Sequence, residues 1–287
     1  MRIGVVLPQT ELGGDVGNVR TYTEGVTALG YTHLLAYDHV VGADPDVHTG
    51  WSGPYDVTTT FHEPMVLFGY LAAITDIELV TGIIILPQRE TVLAAKQAAE
   101  VDLLTGGRFR FGVGIGWNAV EYEALGQRFD ERGRRLSEQV PLLRRLWTEA
   151  SVTHDGTFDR VTGAGINPLP IQRPIPVWFG GQTDPAYRRI GRLADGWFPQ
   201  VRPGDDLQRA LDVIGAAARD AGREPATIGM EGRVQFDGTD PDRFVRQIDR
   251  WRDAGASHVS IDTMRAGRST VAGHLELLGR AAELLGL

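Results

Sequence analysis

The chain of 287 residues has no cysteine and only one lysine, Lys96, among its 29 Lys and Arg residues. The missing cysteine excludes disulfides, thiolate nucleophiles, iron–sulfur clusters and cysteine-ligated zinc. Lys96 lies in a predicted helix, away from any glycine-rich phosphate loop, which argues against P-loop and Schiff-base chemistry. Both absences narrow the mechanisms that the chain can use.

Long hydrophobic runs and an excess of positive charge are absent as well. The longest apolar stretches, such as 83–86, have the length of a strand and do not predict a membrane span. The N-terminus enters a strand without the profile of a signal peptide, so we expect a cytoplasmic protein with no membrane partner. A formal net charge of -8 indicates no general nucleic-acid partner.

Short apolar runs alternate with turns and longer helical patterns, which is typical of a parallel sheet with crossover helices. Eight such units predict a (β/α)8 barrel that forms one domain over residues 1–287. The predicted strands are Ile3–Leu7, His33–Tyr37, Glu78–Leu86, Phe109–Ile115, Ile175–Phe179, Gly196–Phe198, Thr227–Gln235 and His258–Asp262. An open doubly wound sheet is the alternative, but its glycine fingerprint is missing from the first turn, Pro8-Gln9-Thr10.

Residues 151–173 break this rhythm with several glycines and prolines. We interpret them as an insertion, a small hairpin expected to cover the mouth at the C-terminal ends of the barrel strands. The fold expected is therefore a TIM barrel with short insertions at this mouth.

Residues that directly follow each strand meet at the mouth of such a barrel, even when they are distant in sequence. They are Pro8-Gln9, Asp38-His39, Pro87-Gln88-Arg89, Gly114 to Asn118, Gly180 to Thr183, Pro199-Gln200, Glu231-Gly232-Arg233 and Asp262-Thr263-Met264. Gly114 and Gly116 permit close approach of the main chain to a flat ring or a phosphate. Gly180, Gly181, Gln182 and Thr183 place free N–H groups before a helix whose N-terminus favours an anion. The two sets favour a phosphorylated cofactor, and Trp117 and Asn118 offer a stacking face and an amide for its heterocycle.

Asp38 and His39 form the main acid/base candidate of the sequence. Histidine titrates near neutral pH, and an adjacent carboxylate can orient it. Neighbouring residues of a strand point in opposite directions, however, so the two need not touch. As an alternative, His48, His62 and His154 can form a metal site with Asp38, but no HxH or HExxH spacing supports it and we expect no metal.

Several longer stretches resemble the bacterial luciferase-like monooxygenase superfamily. They are Leu79–Arg89, Lys96–Arg108 and Gly112–Asn118. The stretches Glu121–Gly126, Phe129–Gly133 and Pro174–Gly181 are similar to its branch of coenzyme F420-dependent oxidoreductases. The resemblance runs in consistent order from residue 1 to about 265.

The resemblance implies a (β/α)8 barrel, usually a homodimer, that binds F420 or FMN at the mouth. It implies a non-proline cis peptide at Gly82-Ile83 behind the cofactor ring, with Asp38 and His39 near the reactive edge. Gly180 and Gly181 match main-chain contacts to phosphate. Trp117 stands where some sugar-phosphate-oxidising relatives have an acidic residue, which argues against a sugar phosphate as substrate.

The function expected is hydride transfer between the C5 carbon of F420 and a small organic substrate, with His39 moving the proton and Asp38 setting its environment. An FMN-dependent monooxygenase is the alternative within the family. From other classes, a metal-dependent barrel hydrolase and a non-catalytic cofactor-binding protein also remain.

Overall fold

The computed structural model describes residues 1–287, and strands and helices alternate along the whole chain. The strands are β1 (Arg2–Val6), β2 (His33–Ala36), β3 (Glu78–Thr81), β4 (Ile84–Ile85), β5 (Phe109–Gly114), β6 (Val152–Asp155), β7 (Arg160–Ala164), β8 (Val177–Gly181), β9 (Gly196–Pro199), β10 (Gly229–Gln235) and β11 (His258–Asp262). The helices are α1 (Gln9–Leu12), α2 (Val16–Ala28), α3 (Pro64–Leu71), α4 (Thr91–Leu104), α5 (Ala119–Ala124), α6 (Arg132–Thr148), α7 (Asp184–Leu193), α8 (Asp205–Asp220), α9 (Pro241–Asp253) and α10 (Val271–Leu285). Short 3-10 turns lie at Leu86–Gln88, Phe129–Glu131 and Pro225–Thr227.

The parallel strands close into a barrel, which confirms the predicted (β/α)8 fold. Around the barrel the order is β3, β2, β1, β11, β10, β9, β8 and β5, and β3 pairs with β5 to complete the circle. β3 and β4 are two parts of the third barrel strand, which was predicted as one continuous strand. The bond that separates them, Gly82-Ile83, is cis, as the resemblance implies.

The insertion forms the predicted hairpin, because β6 and β7 pair in antiparallel fashion. Its turn is fixed by Glu138 of α6, whose carboxylate accepts the backbone N–H groups of Thr157, Phe158 and Asp159. Asp159 in turn accepts a hydrogen bond from Thr91 at the start of α4. These contacts hold the hairpin against the outer helices. The expectation that it covers the mouth was therefore wrong.

The largest apolar core lies between the barrel wall and the surrounding helices, in a cluster of 58 buried residues. β5 is buried at every position, as expected for a parallel strand covered on both faces. None of the helices is both long and apolar enough to cross a membrane.

At its N-terminal end, the inside of the barrel holds a layer of charged and polar side chains. Glu231 of β10 is surrounded by partners: Arg110 Nη1 lies at 2.6 Å and His33 Nε2 at 3.0 Å, and the Ser260 hydroxyl donates to it. Arg110 also donates to Glu78 at 3.1 Å. Burial opposes the charge of Glu231, but Arg110 and His33 outweigh it and hold its pKa far below the ordinary value. The carboxylate is therefore charged in the folded protein.

Above this layer the lumen is filled by apolar side chains that come from six strands or the loops after them. Trp178 and Phe198 are the largest, and they pack with Val6, Leu35, Val80 and Met264. The two aromatic rings fit because β5 has Gly112 at this level. A Cβ atom there would lie 1.8 Å from the carbonyl oxygen of Thr81 and 2.9 Å from the Phe198 ring. The lumen below the mouth is thus closed and packed.

Because His258 lies in the charged layer, we expect the stability of the folded protein to fall at acidic pH. Burial, aided by the positive charge of Arg110, lowers the pKa of His258 from 6.5 to about 3. The unfolded chain therefore takes up this proton at a higher pH than the folded protein, so stability is complete above pH 6.5 and falls as the pH drops toward 3. We expect His258→Gln to flatten the pH dependence of the urea midpoint in this window.

The matched control is His48→Gln, which removes a histidine from the loop after β2. Urea unfolding at several pH values, followed by tryptophan fluorescence, measures the slope. An unchanged slope in His258→Gln would contradict the assignment.

Candidate active site

The two sides of the barrel mouth differ in chemistry. Where the third, fourth and fifth barrel strands end, the inner surface consists of Ile83, Gly114 and Gly180, which we call the glycine floor. Across the lumen the inward positions are polar: Tyr37, Gln200, Arg233 and Asp262, which we call the polar wall. The sequence thus places an apolar, flat surface opposite a charged one.

The glycine floor is flat because its strands lack side chains at this level. A Cβ atom on Gly114 would lie 2.6 Å from Ile83 Cδ1, and one on Gly180 would lie 3.4 Å from two Ile83 carbons. Ile83 itself is half-buried, so one side of it faces the mouth. A surface of backbone and one aliphatic side chain fits a planar heterocycle, which both F420 and FMN contain.

The imidazole of His39 lies at the mouth between a carboxylate and three aromatic rings. Its Nδ1 is 3.6 Å from Oε2 of Glu121. Its ring centroid is 4.7 Å from that of Phe61, 5.1 Å from that of Tyr55 and 5.8 Å from that of Trp117. Its side chain is 12% exposed, and the chain provides no hydrogen bond to Nε2. This nitrogen is therefore available to a bound molecule.

Glu121 on α5 is fully buried, and its carboxylate is tied into the site. It accepts the backbone N–H of Val40 and the side-chain amide of Gln88, the latter at 3.1 Å. Burial raises the pKa of Glu121, but the nearby His39 imidazole and the hydrogen bonds from Val40 and Gln88 outweigh it, and the net pKa lies below the ordinary value. The site therefore contains a buried negative charge beside the His39 ring.

Asp38 faces away from His39, although the two are adjacent in sequence. Its carboxylate pairs with Arg89 at 2.7 Å and accepts the backbone N–H of Ile85 at 3.1 Å. Arg89 also lies 3.6 Å from Glu63, which caps α3. The structure thus puts Glu121, and not Asp38, against the His39 ring, because successive residues of an extended chain point to opposite sides. Asp38 instead joins the end of β2 to β4.

Gly116 and Asn118, in the loop after β5, position Glu121. Gly116 has a positive φ of 63°, a conformation that favours glycine. Asn118 is buried and its Oδ1 accepts the backbone N–H groups of Val120 and Glu121, so its amide caps α5. Trp117 is 42% exposed, and the centroid of its ring lies 5.6 Å from that of Trp51 and close to the His39 ring. The sequence predicts that both side chains face a heterocycle, but the Asn118 oxygen is engaged in this helix cap.

The segment predicted to bind phosphate lies before α7. Gln182 and Thr183 are exposed, and the Thr183 side chain makes no capping hydrogen bond. Gly181 packs closely on that helix, since a Cβ atom there would lie 2.7 Å from Cβ of Ala186. The backbone before α7 is therefore open to a ligand.

The polar wall is organised around Arg233. Its guanidinium donates to the Tyr37 hydroxyl at 2.7 Å and to Gln200 at 3.5 Å. Asp262 accepts the backbone N–H of Met264 at 2.9 Å, and burial raises the pKa of its carboxyl.

The residues of the metal alternative do not meet. His154 lies beside Glu138 on the outer hairpin, and Asp38 is paired with Arg89. The chain contains no group of three or more His, Asp or Glu side chains placed to hold a metal ion.

Glu121 is the site residue that the sequence interpretation missed. It stands three residues after Asn118, the spacing of an N-cap and its third helical residue. That pattern predicts that the Glu121 carboxylate accepts the backbone N–H of Asn118 at the N-cap. The signal therefore located a helix start, but the contact with His39 depends on how the loops meet in space.

A family model described as luciferase-like monooxygenase matches residues 1–278. An uncharacterized protein of Mycobacterium tuberculosis is 30% identical over 220 residues, which cover 75% of this chain and 74% of that one. The FMNH2-dependent dimethylsulfone monooxygenase of Pseudomonas putida is 33% identical over 177 residues, or 60% of this chain and 48% of that one.

Two solved structures have a similar fold at low sequence identity. The coenzyme F420-dependent tetrahydromethanopterin reductase from Methanopyrus kandleri has a TM-score of 0.75 at 16% identity, covering 97% of both chains. An F420-dependent secondary alcohol dehydrogenase has a TM-score of 0.80 at 14% identity, covering 99% of this chain and 98% of that one. Members of the matched family are oxidoreductases or monooxygenases that use F420 or FMN. The barrel and the family model together show that this chain belongs to the luciferase-like monooxygenase family.

Proposed function

We propose that the protein is an F420-dependent oxidoreductase that transfers a hydride between the C5 carbon of the deazaflavin and a small organic substrate. The observation that carries this proposal is the His39 imidazole, which lies at the same barrel mouth as the glycine floor and has its Nδ1 3.6 Å from the buried Glu121 carboxylate. Hydride transfer to or from a carbon that bears oxygen or nitrogen also requires a proton to move, and His39 is placed to move it.

The cofactor would be held by backbone more than by side chains. The glycine floor of Ile83, Gly114 and Gly180 would support the ring, and the N–H groups from Gly181 to Thr183 would meet a phosphate before α7. When bound, the deazaflavin supplies a carbon that accepts or donates a hydride. FMN is the second candidate, because one relative at 33% identity is FMNH2-dependent.

His39 acts as the proton carrier through its free Nε2. In the oxidative direction Nε2 accepts the hydroxyl proton of an alcohol, and in the reductive direction it returns a proton to the oxygen. The charge of Glu121 stabilises the imidazolium that forms, and its contact with Nδ1 fixes which nitrogen faces the substrate. The rings of Tyr55, Phe61 and Trp117 limit the access of water to this nitrogen.

The first test of this proposal is the cofactor itself. Titration of the protein with F420 and FMN, oxidised and reduced, is followed by fluorescence quenching, and we expect F420 to bind at micromolar concentration. Gly180→Ala should weaken binding without unfolding the barrel, because its Cβ meets Ile83 at 3.4 Å, an ordinary contact distance, while it projects from the floor. The control is Gly279→Ala on α10, distant from the mouth.

Failure of both cofactors to bind would contradict the proposal. Tight binding of FMN with none of F420 would replace it by the FMN-dependent alternative. If Gly180→Ala and the wild type bound the cofactor with equal affinity, the glycine floor would not be part of the cofactor site.

The second test separates proton transfer from binding. We expect His39→Asn to lower turnover by about 10²- to 10⁴-fold, which is the usual contribution of a positioned acid or base. Glu121→Gln should lower it by about 10- to 100-fold, since hydrogen bonds to a charged group contribute about 1.5–3 kcal/mol. Cofactor dissociation constants should stay within a few-fold in both variants.

Glu123→Gln is the matched control, because Glu123 is an exposed residue of the same helix. Its turnover should equal that of the wild type. If His39→Asn kept full turnover, His39 would not be the proton carrier.

We also propose that the protein is a homodimer that associates through α3 and α4. The neighbouring helices expose Val66 (72%), Leu93 (59%) and Leu104 (57%), which are large apolar side chains. We expect light scattering to give twice the 31.4 kDa of one chain, and Leu93→Glu to shift the mass toward one chain. A wild-type mass of one chain would contradict this.

The cytoplasmic location and the absence of a nucleic-acid partner stay predictions.

A further inference from the structure

We infer that the substrate carries an anionic group, a carboxylate or a phosphate, which Arg233 and Arg265 bind on the side of the mouth opposite the glycine floor. The inference rests on the proposed function for the reaction, and it adds the chemical class of the substrate. The evidence comes from the two arginines and their surroundings.

The mouth has two unlike sides, so a ligand that fills it has two unlike contacts. The glycine floor belongs to β5, β8 and the Gly82-Ile83 segment, and it offers no charge. The polar wall belongs to the strands across the lumen, β9, β10, β11 and β2. A flat ring held on the floor would face the polar wall, and the substrate would lie between them.

Arg233 is held in place by neutral groups only. It donates to the Tyr37 hydroxyl at 2.7 Å, and its guanidinium carbon lies 5.7 Å from the centre of the Tyr37 ring. Its other partner is the Gln200 side-chain oxygen at 3.5 Å. Glu231, two residues earlier on the same strand, is already neutralised by Arg110 below. Arg233 is thus fixed but keeps its positive charge and further N–H groups unpaired.

Arg265 follows β11 and is the only non-glycine residue with a positive φ, 62°. The Glu11 carboxylate accepts its backbone N–H at 2.7 Å, and the other oxygen of Glu11 lies 3.3 Å from His274. The Arg265 side chain makes no hydrogen bond and no ion pair. Glycine or asparagine fits this backbone conformation better, and strained residues of this kind cluster at functional sites. An arginine here therefore indicates a role for its side chain.

Asp262 balances only part of the charge of this pair, because its carboxylate interacts electrostatically with both guanidinium groups but forms an ion pair with neither. Asp262 precedes Arg265 by three residues, but its contact is the backbone N–H of Met264, and no carboxylate oxygen lies within 4.0 Å of either guanidinium. The third arginine of the mouth, Arg89, differs because Asp38 and Glu63 neutralise it. Two unpaired guanidinium groups beside a fixed phenol form a surface that fits an oxyanion.

The test uses cofactor-free protein and three probes of similar size: benzoate, phenyl phosphate and the neutral benzamide. Isothermal titration calorimetry measures each dissociation constant. We expect one of the two anions to bind wild type at least about tenfold more tightly than benzamide. The preferred anion identifies the group as carboxylate or phosphate.

The variants Arg233→Gln and Arg265→Gly should abolish this preference while benzamide binding stays unchanged. Arg265→Gly suits the positive φ, so its thermal midpoint should equal or exceed that of wild type, and loss of binding cannot come from unfolding. Arg246→Gln on the outer face of α9 removes the same charge and should keep the preference.

Equal affinity of wild type for benzamide and both anions, or no binding of any probe, would overturn the inference. So would a parallel loss of F420 or FMN affinity in both arginine variants, because the pair would then bind the phosphate of the cofactor. The same experiments distinguish this inference from the proposed function. If the protein preferred an anion but bound neither F420 nor FMN, the proposed function would be wrong and the anion site would stand.

Discussion

The inward-facing positions of a closed parallel barrel share one narrow lumen, and the rest of this structure follows from how they are filled. At each level, inward side chains from several strands meet in the lumen, so they must complement one another in charge and volume. Here the lowest level is a charged network around Glu231, and the next is the packed pair Trp178 and Phe198. The closed lower levels confine ligands to the mouth.

Glycine decides what each level can hold. Gly4 leaves room for the His33 ring in the lowest layer, and Gly112 leaves room for the Phe198 ring above it. At the mouth, Gly114 and Gly180 have the same inward orientation, and the Ile83 side chain lies beside both of them. The missing side chains thus make room for aromatic rings below and for Ile83 at the mouth.

Two carboxylates near β2 have different partners. Asp38 pairs with Arg89 and connects β2 with β4, so it supports the shape of the mouth. Glu121 approaches from α5 and sets the environment of the His39 ring. The polar wall adds a third charged feature, Arg233, whose partners are neutral. Charge in the mouth is therefore separated into the Asp38–Arg89 pair, the Glu121–His39 contact and Arg233, which has no acidic partner.

The sequence by itself determined the barrel, the family, the cis position at Gly82-Ile83 and the strand ends at which the site lies. These features depend on local periodicity and on motifs that are contiguous in the chain. The hairpin at 152–164 was also predicted, but its place on the outside of α6 was not, because that depends on Glu138 and Thr91 from other elements. Only the tertiary structure decided that Glu121 rather than Asp38 faces His39 and that Arg265 has a left-handed backbone. Each of these depends on contacts between loops distant in sequence, and no periodicity or spacing in the chain encodes the direction in which such side chains point.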